Sequence, residues 1–239
     1  MSKLKKIFLK IKKNPLDFLR RVIFKLVVGP LKYKKQGGYD AFRFWTDRLS
    51  KYPLKLTYRY DESLSEEENI NLRINESQKI VRLCRERGIN FSKARVLDVG
   101  CANGFYTQIL FNLGVKNYVG TDITSILFPR LRNKFPHYKF IKNDISIQKI
   151  TGKYELILLI SVIQHIVEED KLSFCLENIK ECLAKNGIIM ISWIMKNKKK
   201  FLPFYIHAWT PKDIKKHFLN YFIESFPLND NYLLIIRRK

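Results

Sequence analysis

Hydrophobic positions change period several times along the chain, and each change marks an element. Leu16, Leu19, Val22, Ile23, Leu26 and Val27 recur at helical spacing, with Arg20, Arg21 and Lys25 between them. Asn14-Pro15 reads as an N-cap and first turn and Gly29-Pro30 as a stop, so the pattern predicts a basic amphipathic helix. Such a helix can lie on a membrane with its cations among the head groups, or dock on its own domain. A long helix follows from Ser65, where Glu68 completes a capping box and Glu66 to Glu68 suit the positive end of the dipole. Ile70, Leu72, Ile74, Ile80, Val81 and Cys84 form its apolar side, and Gly88 ends it.

After residue 90 the pattern alternates. Short apolar strands are predicted at Arg95 to Val99, Tyr118 to Thr121, Lys139 to Ile141, Leu156 to Ile160 and Ile188 to Trp193. Helices are predicted from Phe105 to Leu113, ended by Gly114, and from Leu172 to Ala184, ended by Gly187. The unbroken apolar run Leu156 to Ile160 is what a strand buried on both faces requires. Strands alternating with helices imply an α/β, doubly wound, mostly parallel sheet. Thr210-Pro211-Lys212-Asp213 caps one more helix. Tyr221 to Phe226 and Tyr232 to Arg237 then flank the turn cluster Leu228-Asn229-Asp230-Asn231, a hairpin that adds an antiparallel strand.

Between the two N-terminal helices, residues 39 to 60 carry Tyr39, Phe42, Phe44, Trp45, Tyr52, Tyr58 and Tyr60, with Gly37-Gly38 as a candidate hinge. So aromatic a segment is either a lid over a pocket or a wedge in the core. The chain therefore divides into a basic segment (1–35), a helical and aromatic extension (36–88) and an α/β domain (89–239).

Composition adds one fact that the pattern does not carry. In 239 residues, 45 Lys+Arg face 22 Asp+Glu, for a net charge of +23. Residues 1–35 hold twelve of those bases and a single acid, Asp17. That balance attracts nucleic acid or an anionic membrane, although biased codon usage also inflates lysine. An apolar fraction of 46% excludes general disorder. Cys84, Cys101, Cys175 and Cys182 form no C-x-x-C pair and have no histidine at metal-ligand spacing, so neither a disulfide framework nor a metal site is expected. Cys175 and Cys182, seven apart, read as core. Lys10 interrupts the first apolar run, so no cleavable signal peptide is read; the expected setting is a reducing cytoplasm.

The string Val96-Leu97-Asp98-Val99-Gly100-Cys101-Ala102-Asn103-Gly104-Phe105 runs from a strand through two glycines into a helix. Glycine at 100 permits a sharp turn and close approach of a ligand to the backbone, and Gly104 does the same at the helix start. It is neither the dinucleotide fingerprint nor a P-loop, which lacks no lysine as this one does. An acid, Asp98, is expected at the crevice instead, disfavouring phosphate and favouring a cationic ligand. Asp122, 24 residues later at the next strand's end, can accept both hydroxyls of a ribose. Asp144, after the third strand, can take an amino-purine edge, with Ile123 and Ile145 against the ring. The three acids together select a ligand with a positive centre, a diol and an amino-purine.

These residues resemble the class I S-adenosylmethionine-dependent methyltransferases. Asp98-Val99-Gly100-Cys101-Ala102-Asn103-Gly104 is similar to their first motif, departing at Ala102, where glycine is frequent. Asp122 matches the ribose-binding acid, Asn143-Asp144-Ile145 the adenine-edge motif, Tyr154 to Ser161 the fourth motif and Leu183 to Ile188 the passage after it. Five motifs in order carry a specificity that none has alone. The resemblance spans about residues 90–239, and residues 39–88 look like the helical extension of members acting on small molecules or glycans. It implies a Rossmann-like seven-stranded sheet, S-adenosyl-L-methionine as cofactor, and Asp98, Gly100, Cys101, Gly104, Asp122, Ile123, Asp144, Ile145 and Ser161 as its binding residues.

For the acceptor, His165 falls at the crevice rim after the fourth strand, with an expected pKa near neutrality. It serves either as the base that deprotonates a hydroxyl or as a cap for the next helix or support for the cofactor loop. His207 and Trp209, after the fifth strand, either contact the acceptor or pack. His137 and His217 carry no signal. Three readings stay open: a small-molecule, glycan or lipid-linked hydroxyl at the cytoplasmic membrane face; RNA, on charge alone, without the N-P-P-Y string of base amino-group methylation; and a cofactor-binding partner subunit without activity.

Overall fold

A computed structural model describes residues 15–51, 65–195, 202–228 and 231–239. Helix α1 (Pro15–Ile23) runs through a π-helical turn (Phe24–Val28) into α2 (Gly29–Lys32). Gly29-Pro30 therefore does not stop the helix. A proline removes the bond to the carbonyl four residues back and clashes with it. Here the chain has already widened: the Gly29 N–H donates to Phe24 O, five residues back, and Pro30 enters in the first turn of α2. Glycine is required at 29 because a Cβ there would lie 2.4 Å from the Phe204 ring.

Gly37-Gly38, read as a hinge, belongs to a tight hairpin of β1 (Lys34–Lys35) and β2 (Gly38–Tyr39). The Glu168 carboxylate packs directly on both glycines. Helix α3 (Ala41–Lys51) follows, a helix that the irregular aromatic pattern concealed. Tyr52, Tyr58 and Tyr60 lie outside the described residues.

Next come α4 (Glu66–Glu86), β3 (Arg95–Val99), α5 (Phe105–Asn112), β4 (Asn117–Asp122), α6 (Phe128–Lys134), β5 (Lys139–Lys142) and β6 (Tyr154–Leu159). They are followed by α7 (Glu169–Cys182), β7 (Leu183–Met195), α8 (Pro211–Lys215), β8 (Tyr221–Leu228) and β9 (Asn231–Arg238). The capping boxes at Ser65/Glu68 and Thr210/Asp213 are both formed. Gly187 does not end α7, which stops at Cys182 and passes straight into β7; the backbone of Tyr154 crosses where a side chain at 187 would stand. Helix α6 went unread because a seven-residue segment shows too little periodicity.

The seven strands order as β5-β4-β3-β6-β7-β9-β8, with β9 antiparallel to both neighbours and the rest parallel. Alternate residues feed two cores, as a pleat demands. Val96, Leu156, Leu158 and Met190 face α4, α5 and α6, whereas Leu97, Ile157, Leu159 and Ile191 face α7 and α8. Cys175 and Cys182 sit buried on α7 in the second core. Strand order reverses between β3 and β6, and that reversal opens a crevice at their carboxyl ends.

A third cluster is aromatic. Tyr33, Tyr39 and Phe44 join Tyr205 from the segment after β7, with Phe24, Trp45 and Phe204 packed around them. The segment 24–45 is thus both wedge and cover: its rings fill a small core of their own, and that core roofs the crevice. Through Phe24, Gly29 and Tyr33 the N-terminal helices dock on their own domain, while Leu16, Leu19, Leu26 and Leu31 remain exposed, Leu26 by 71% and Leu31 by 72%. Among the described residues no helix is long and apolar enough to cross a membrane.

Candidate active site

The crevice is a cavity of about 1,080 Å³ that continues from the strand ends into the space beneath the aromatic roof. Its floor begins at Gly100, where the chain leaves β3 with φ of +72°. The N–H groups of Gly100 and Cys101 both donate to Thr121 O, at 2.7 and 2.9 Å, folding the turn against the end of β4. A Cβ at 100 would lie 2.6 Å from Val162, so glycine is needed both for the left-handed turn and for the close approach of the loop after β6. Ala102 follows at φ of +46°, a strained value for alanine at the position where the sequence departs from the usual glycine.

Asp122 splints this turn. Its Oδ2 accepts the Ala102 N–H and its Oδ1 the Thr124 N–H, each at 3.1 Å. Burial pushes its carboxyl up to about 6, against the backbone N–H groups of Thr124, Ala102 and Ile123 that favour the charged form. Asp144 forms an Asx turn, its Oδ1 accepting from the N–H and hydroxyl of Ser146. Ile123, Ile145 and Ser161 complete this half of the wall. Ser161, at φ of +59°, is held by its N–H donating to Ser192 Oγ at 2.9 Å.

Seven of the residues expected at the site therefore line one cavity: Gly100, Asp122, Ile123, Asp144, Ile145, Ser161 and His165. Asp98, Cys101 and Gly104 stand behind the wall. Asp98 does not point into the crevice; it is 3% exposed and accepts the Tyr118 hydroxyl at 2.8 Å, which in turn pairs with Thr107 at 2.7 Å. Burial raises its carboxyl to about 7; the Tyr118 hydrogen bond and Arg73 oppose the shift and Asp122 adds to it. Burial likewise pushes the Cys101 thiol far up, making it an inert small hydrophobe. Gly104 caps α5, and the group approaching it is Leu131 of α6 rather than a ligand.

His165 lies in the 3-10 turn after β6. Its Nδ1–H donates to Tyr205 O at 2.9 Å, its ring meets Trp45 edge-on at 4.7 Å, and the Gln164 amide nitrogen stands 3.3 Å from Nε2. A pKa near neutrality was expected, but burial under the roof lowers it to about 4, with the Arg48 charge adding to the shift. The imidazole is therefore neutral at physiological pH, and the bond to Tyr205 assigns its lone pair to Nε2, where the Gln164 amide donates to it. It does not cap the next helix, whose N-cap is Glu168.

His207 and Trp209 do not line the cavity. The Trp209 indole N–H donates to Ile163 O and Ile166 O at 3.1 and 2.9 Å, and His207 packs on Trp209 at 3.8 Å with the rings tilted by 32°. Their packing reading holds, and Pro203, Tyr205 and Ile206 of the same segment take the places on the wall. Three further wall residues escaped the sequence reading. Arg73 reaches in from α4 and lies over the Phe105 ring at 4.5 Å. Arg48 comes from α3. Trp193 adopts φ of +68° in a bulge of β7 between Ile191 and Ile194, a strained backbone that turns an indole toward the cavity. No local pattern announces a bulge, and isolated arginines on helices read as solvated.

Residues 97–189 match a family described as "Methyltransferase domain". No curated protein sequence matches the chain. Among solved structures, magnesium protoporphyrin IX methyltransferase (ChlM) of Synechocystis PCC 6803 with bound SAM is 15% identical at a TM-score of 0.63, over 86% of this chain and 100% of that one. N-methyltransferase NodS of Bradyrhizobium japonicum WM9, in complex with S-adenosyl-l-homocysteine, is 18% identical at 0.56, over 70% and 86%. An S-adenosylmethionine-dependent methyltransferase of Clostridium acetobutylicum ATCC 824 is 15% identical at 0.60, over 82% and 99%. At such identities the likeness speaks for the fold.

Proposed function

We propose that this chain, whose residues 97–189 match a methyltransferase domain, is a class I S-adenosylmethionine-dependent methyltransferase that methylates a hydroxyl oxygen of a small-molecule, glycan or lipid-linked acceptor. One observation carries the reading. A carboxylate-lined cleft at the strand reversal, with Asp122 beside the bare backbone of Gly100, opens directly into an aromatic chamber that holds a neutral histidine.

The residues present fit the donor. Asp122 offers a charged acceptor for a diol, Gly100 leaves backbone within reach, and Ile123 and Ile145 provide apolar walls for a purine whose amino edge meets Asp144. Arg73 is a cation on this side, suited to an amino-acid carboxylate. S-adenosylmethionine, when bound, supplies a methyl group on a sulfonium that an oxygen displaces in line. The chain's task is then positioning and proton removal. Trp45, Trp193 and Tyr205 exclude water and present flat apolar faces to the acceptor. His165 Nε2 takes the hydroxyl proton once the acceptor hydroxyl replaces the Gln164 amide as its donor, while Tyr205 O holds the ring in the tautomer that keeps the lone pair on this nitrogen.

Tritiated-methyl transfer to fractionated cell extract tests the reading. Label is expected in the small-molecule, glycan or lipid fraction; label in RNA, or none in any fraction, overturns it. For the base, His165→Ala is expected to lower kcat by roughly 10²–10⁴-fold while S-adenosylhomocysteine affinity stays within twofold. Because the imidazole titrates near 4, the wild-type kcat should show no histidine limb between pH 6 and 8. A variant retaining a third of the wild-type kcat removes the base role.

The N-terminal helices support a peripheral position on the inner, cytoplasmic face of a membrane. Leu16, Leu19, Leu26 and Leu31 are exposed on a helix that also carries Arg20, Arg21 and Lys25, the composition of an element that beds into an anionic bilayer. The full chain is expected to sediment with phosphatidylglycerol-containing vesicles in a salt-sensitive, nuclease-resistant manner. Leu26→Glu with Leu31→Glu should reduce that binding at least tenfold without lowering Tm, since both side chains are exposed. Point changes are preferable to deletion because Tyr33, a few residues on, is part of the roof. Undiminished sedimentation of the double variant would remove the membrane role.

A further inference from the structure

We propose that the acceptor bears a phosphate group and that Arg48 is the residue that receives it. The inference rests on the methyl-transfer reading above and adds to it the charge of the substrate.

Arg48 lies in the last turn of α3, half-buried in the cavity wall. Its guanidinium stands 5.5 Å from the centroid of the Phe44 ring and 5.5 Å from that of Tyr205. These contacts fix where the group sits and leave its donors unfilled. Nε is buried without a hydrogen-bond partner, and among the described residues no carboxylate pairs with the side chain. The acids closest in sequence are engaged elsewhere. Asp47 accepts from Lys32 at 2.7 Å and from the Tyr33 hydroxyl at 2.9 Å, and Asp40 accepts the Arg43 N–H at 3.0 Å.

A guanidinium stays charged in any protein environment, so burial cannot be relieved by losing the proton. Aromatic faces offset part of the cost, but the N–H donors of the fork lie in the guanidinium plane, where an oxyanion is the acceptor that also compensates the charge. The surroundings point the same way. Among the described residues, the side of α1 to α3 and α7 contributes Lys25, Lys35, Arg48 and Lys171 to the cavity lining and one carboxylate, Glu168, which Lys171 already pairs. A neutral acceptor would leave the buried Arg48 Nε–H without an acceptor. A phosphate, with up to two negative charges, matches these cations better than a single carboxylate does.

Arg48 also lies close enough to His165 for its charge to disfavour protonation there. An anionic group on Arg48 therefore sits near the base, and the hydroxyl to be methylated belongs to the same small unit, such as a phosphorylated sugar or polyol. That unit has two sources, a soluble phosphate ester or a lipid head group brought in beside the exposed leucines of α1 and α2.

The test uses the full chain saturated with S-adenosylhomocysteine and titrated with inorganic phosphate at 150 mM salt, read by the fluorescence of Trp45 and Trp193, which line the cavity. Wild-type protein is expected to bind phosphate in preference to acetate. Arg48→Gln should weaken the affinity at least tenfold and Arg48→Lys by less, while Lys93→Gln, an exposed change outside the cavity, leaves it unaltered. Equal phosphate affinity in Arg48→Gln and wild type, or preference for acetate, overturns the proposal. S-adenosylhomocysteine affinity measured on the same samples separates the two layers: its absence overturns the methyl-transfer reading and this inference with it, whereas its presence with an unaffected Arg48→Gln overturns this inference alone. Methyl-labelled product from extract should be retained on an anion exchanger, in the organic phase for a lipid source and in the aqueous phase for a soluble one. A labelled product that passes as neutral overturns the proposal in either phase.

Discussion

Asp122→Ala is expected to weaken S-adenosylhomocysteine binding by about 2–4 kcal/mol, roughly 30- to 900-fold, on the scale of a charged hydrogen-bonding partner lost from a buried site. Two losses combine. The carboxylate that would accept the ribose hydroxyls disappears, and the N–H groups of Ala102 and Thr124 lose their shared acceptor, so the turn after β3 is no longer tied to the turn after β4. The sign of the pH dependence follows from the raised pKa of about 6. Below that value the free protein holds a proton on Asp122, and the diol, a donor, prefers the ionised form. Affinity should therefore rise as pH increases through 6 and level off above 7, with a proton released on binding near pH 6. Calorimetry at pH 5.5, 6.5 and 7.5 in buffers of different ionisation enthalpy measures both effects, and Asp122→Asn should flatten the profile. Unchanged affinity in the alanine variant would remove Asp122 from the donor site.

Phe44→Ala should have the larger effect on stability, about 3–5 kcal/mol, because the ring is 1% exposed and no neighbour can fill the void. It is the hub of the roof. Its ring contacts Tyr33 at 5.2 Å, Tyr39 at 5.6 Å, Trp45 at 5.2 Å, Phe204 at 5.6 Å and Tyr205 at 4.7 Å. Loss of the hub releases Tyr205, whose carbonyl holds the His165 ring, and lets water into the acceptor chamber. The expected pattern is a depressed Tm and methyl transfer lost by at least 10²-fold, with S-adenosylhomocysteine affinity within about threefold of wild type, since that half of the cavity stands on the sheet. Parallel loss of donor affinity would show that roof and donor pocket are one cooperative unit.

The strand-end half of the cavity was largely readable from residues in order, because its information is local. An acid at a strand's end, a glycine that must turn left-handed and a serine with a glutamate three residues on each act within a few residues of chain. Asp122, Gly100 and the Ser65 cap were accordingly found where the chain places them. Local reading failed where a neighbour distant in sequence settles the outcome. Asp98 occupies the same strand end as its motif demands, but Tyr118 of the next strand draws its carboxylate behind the wall. Gly29-Pro30 carries a stop signal, overridden by a π turn whose glycine rests on Phe204.

The aromatic half depends almost wholly on such distant meetings. The Tyr39 hydroxyl donates to His165 O at 3.1 Å across 126 residues of sequence, and Phe44 stacks on Tyr205 from the far end of the chain. Periodicity and turn chemistry announced a parallel sheet, its helices and a carboxylate cleft, since backbone hydrogen bonding and the pleat translate spacing directly into faces. The depressed pKa of His165, the exchange of Tyr205 for His207 and Trp209 on the wall, and the charge of Arg48, without a carboxylate partner among the described residues, came from packing alone. Desolvation and partner choice are properties of the space between elements, and no stretch of chain encodes that space until the elements have met.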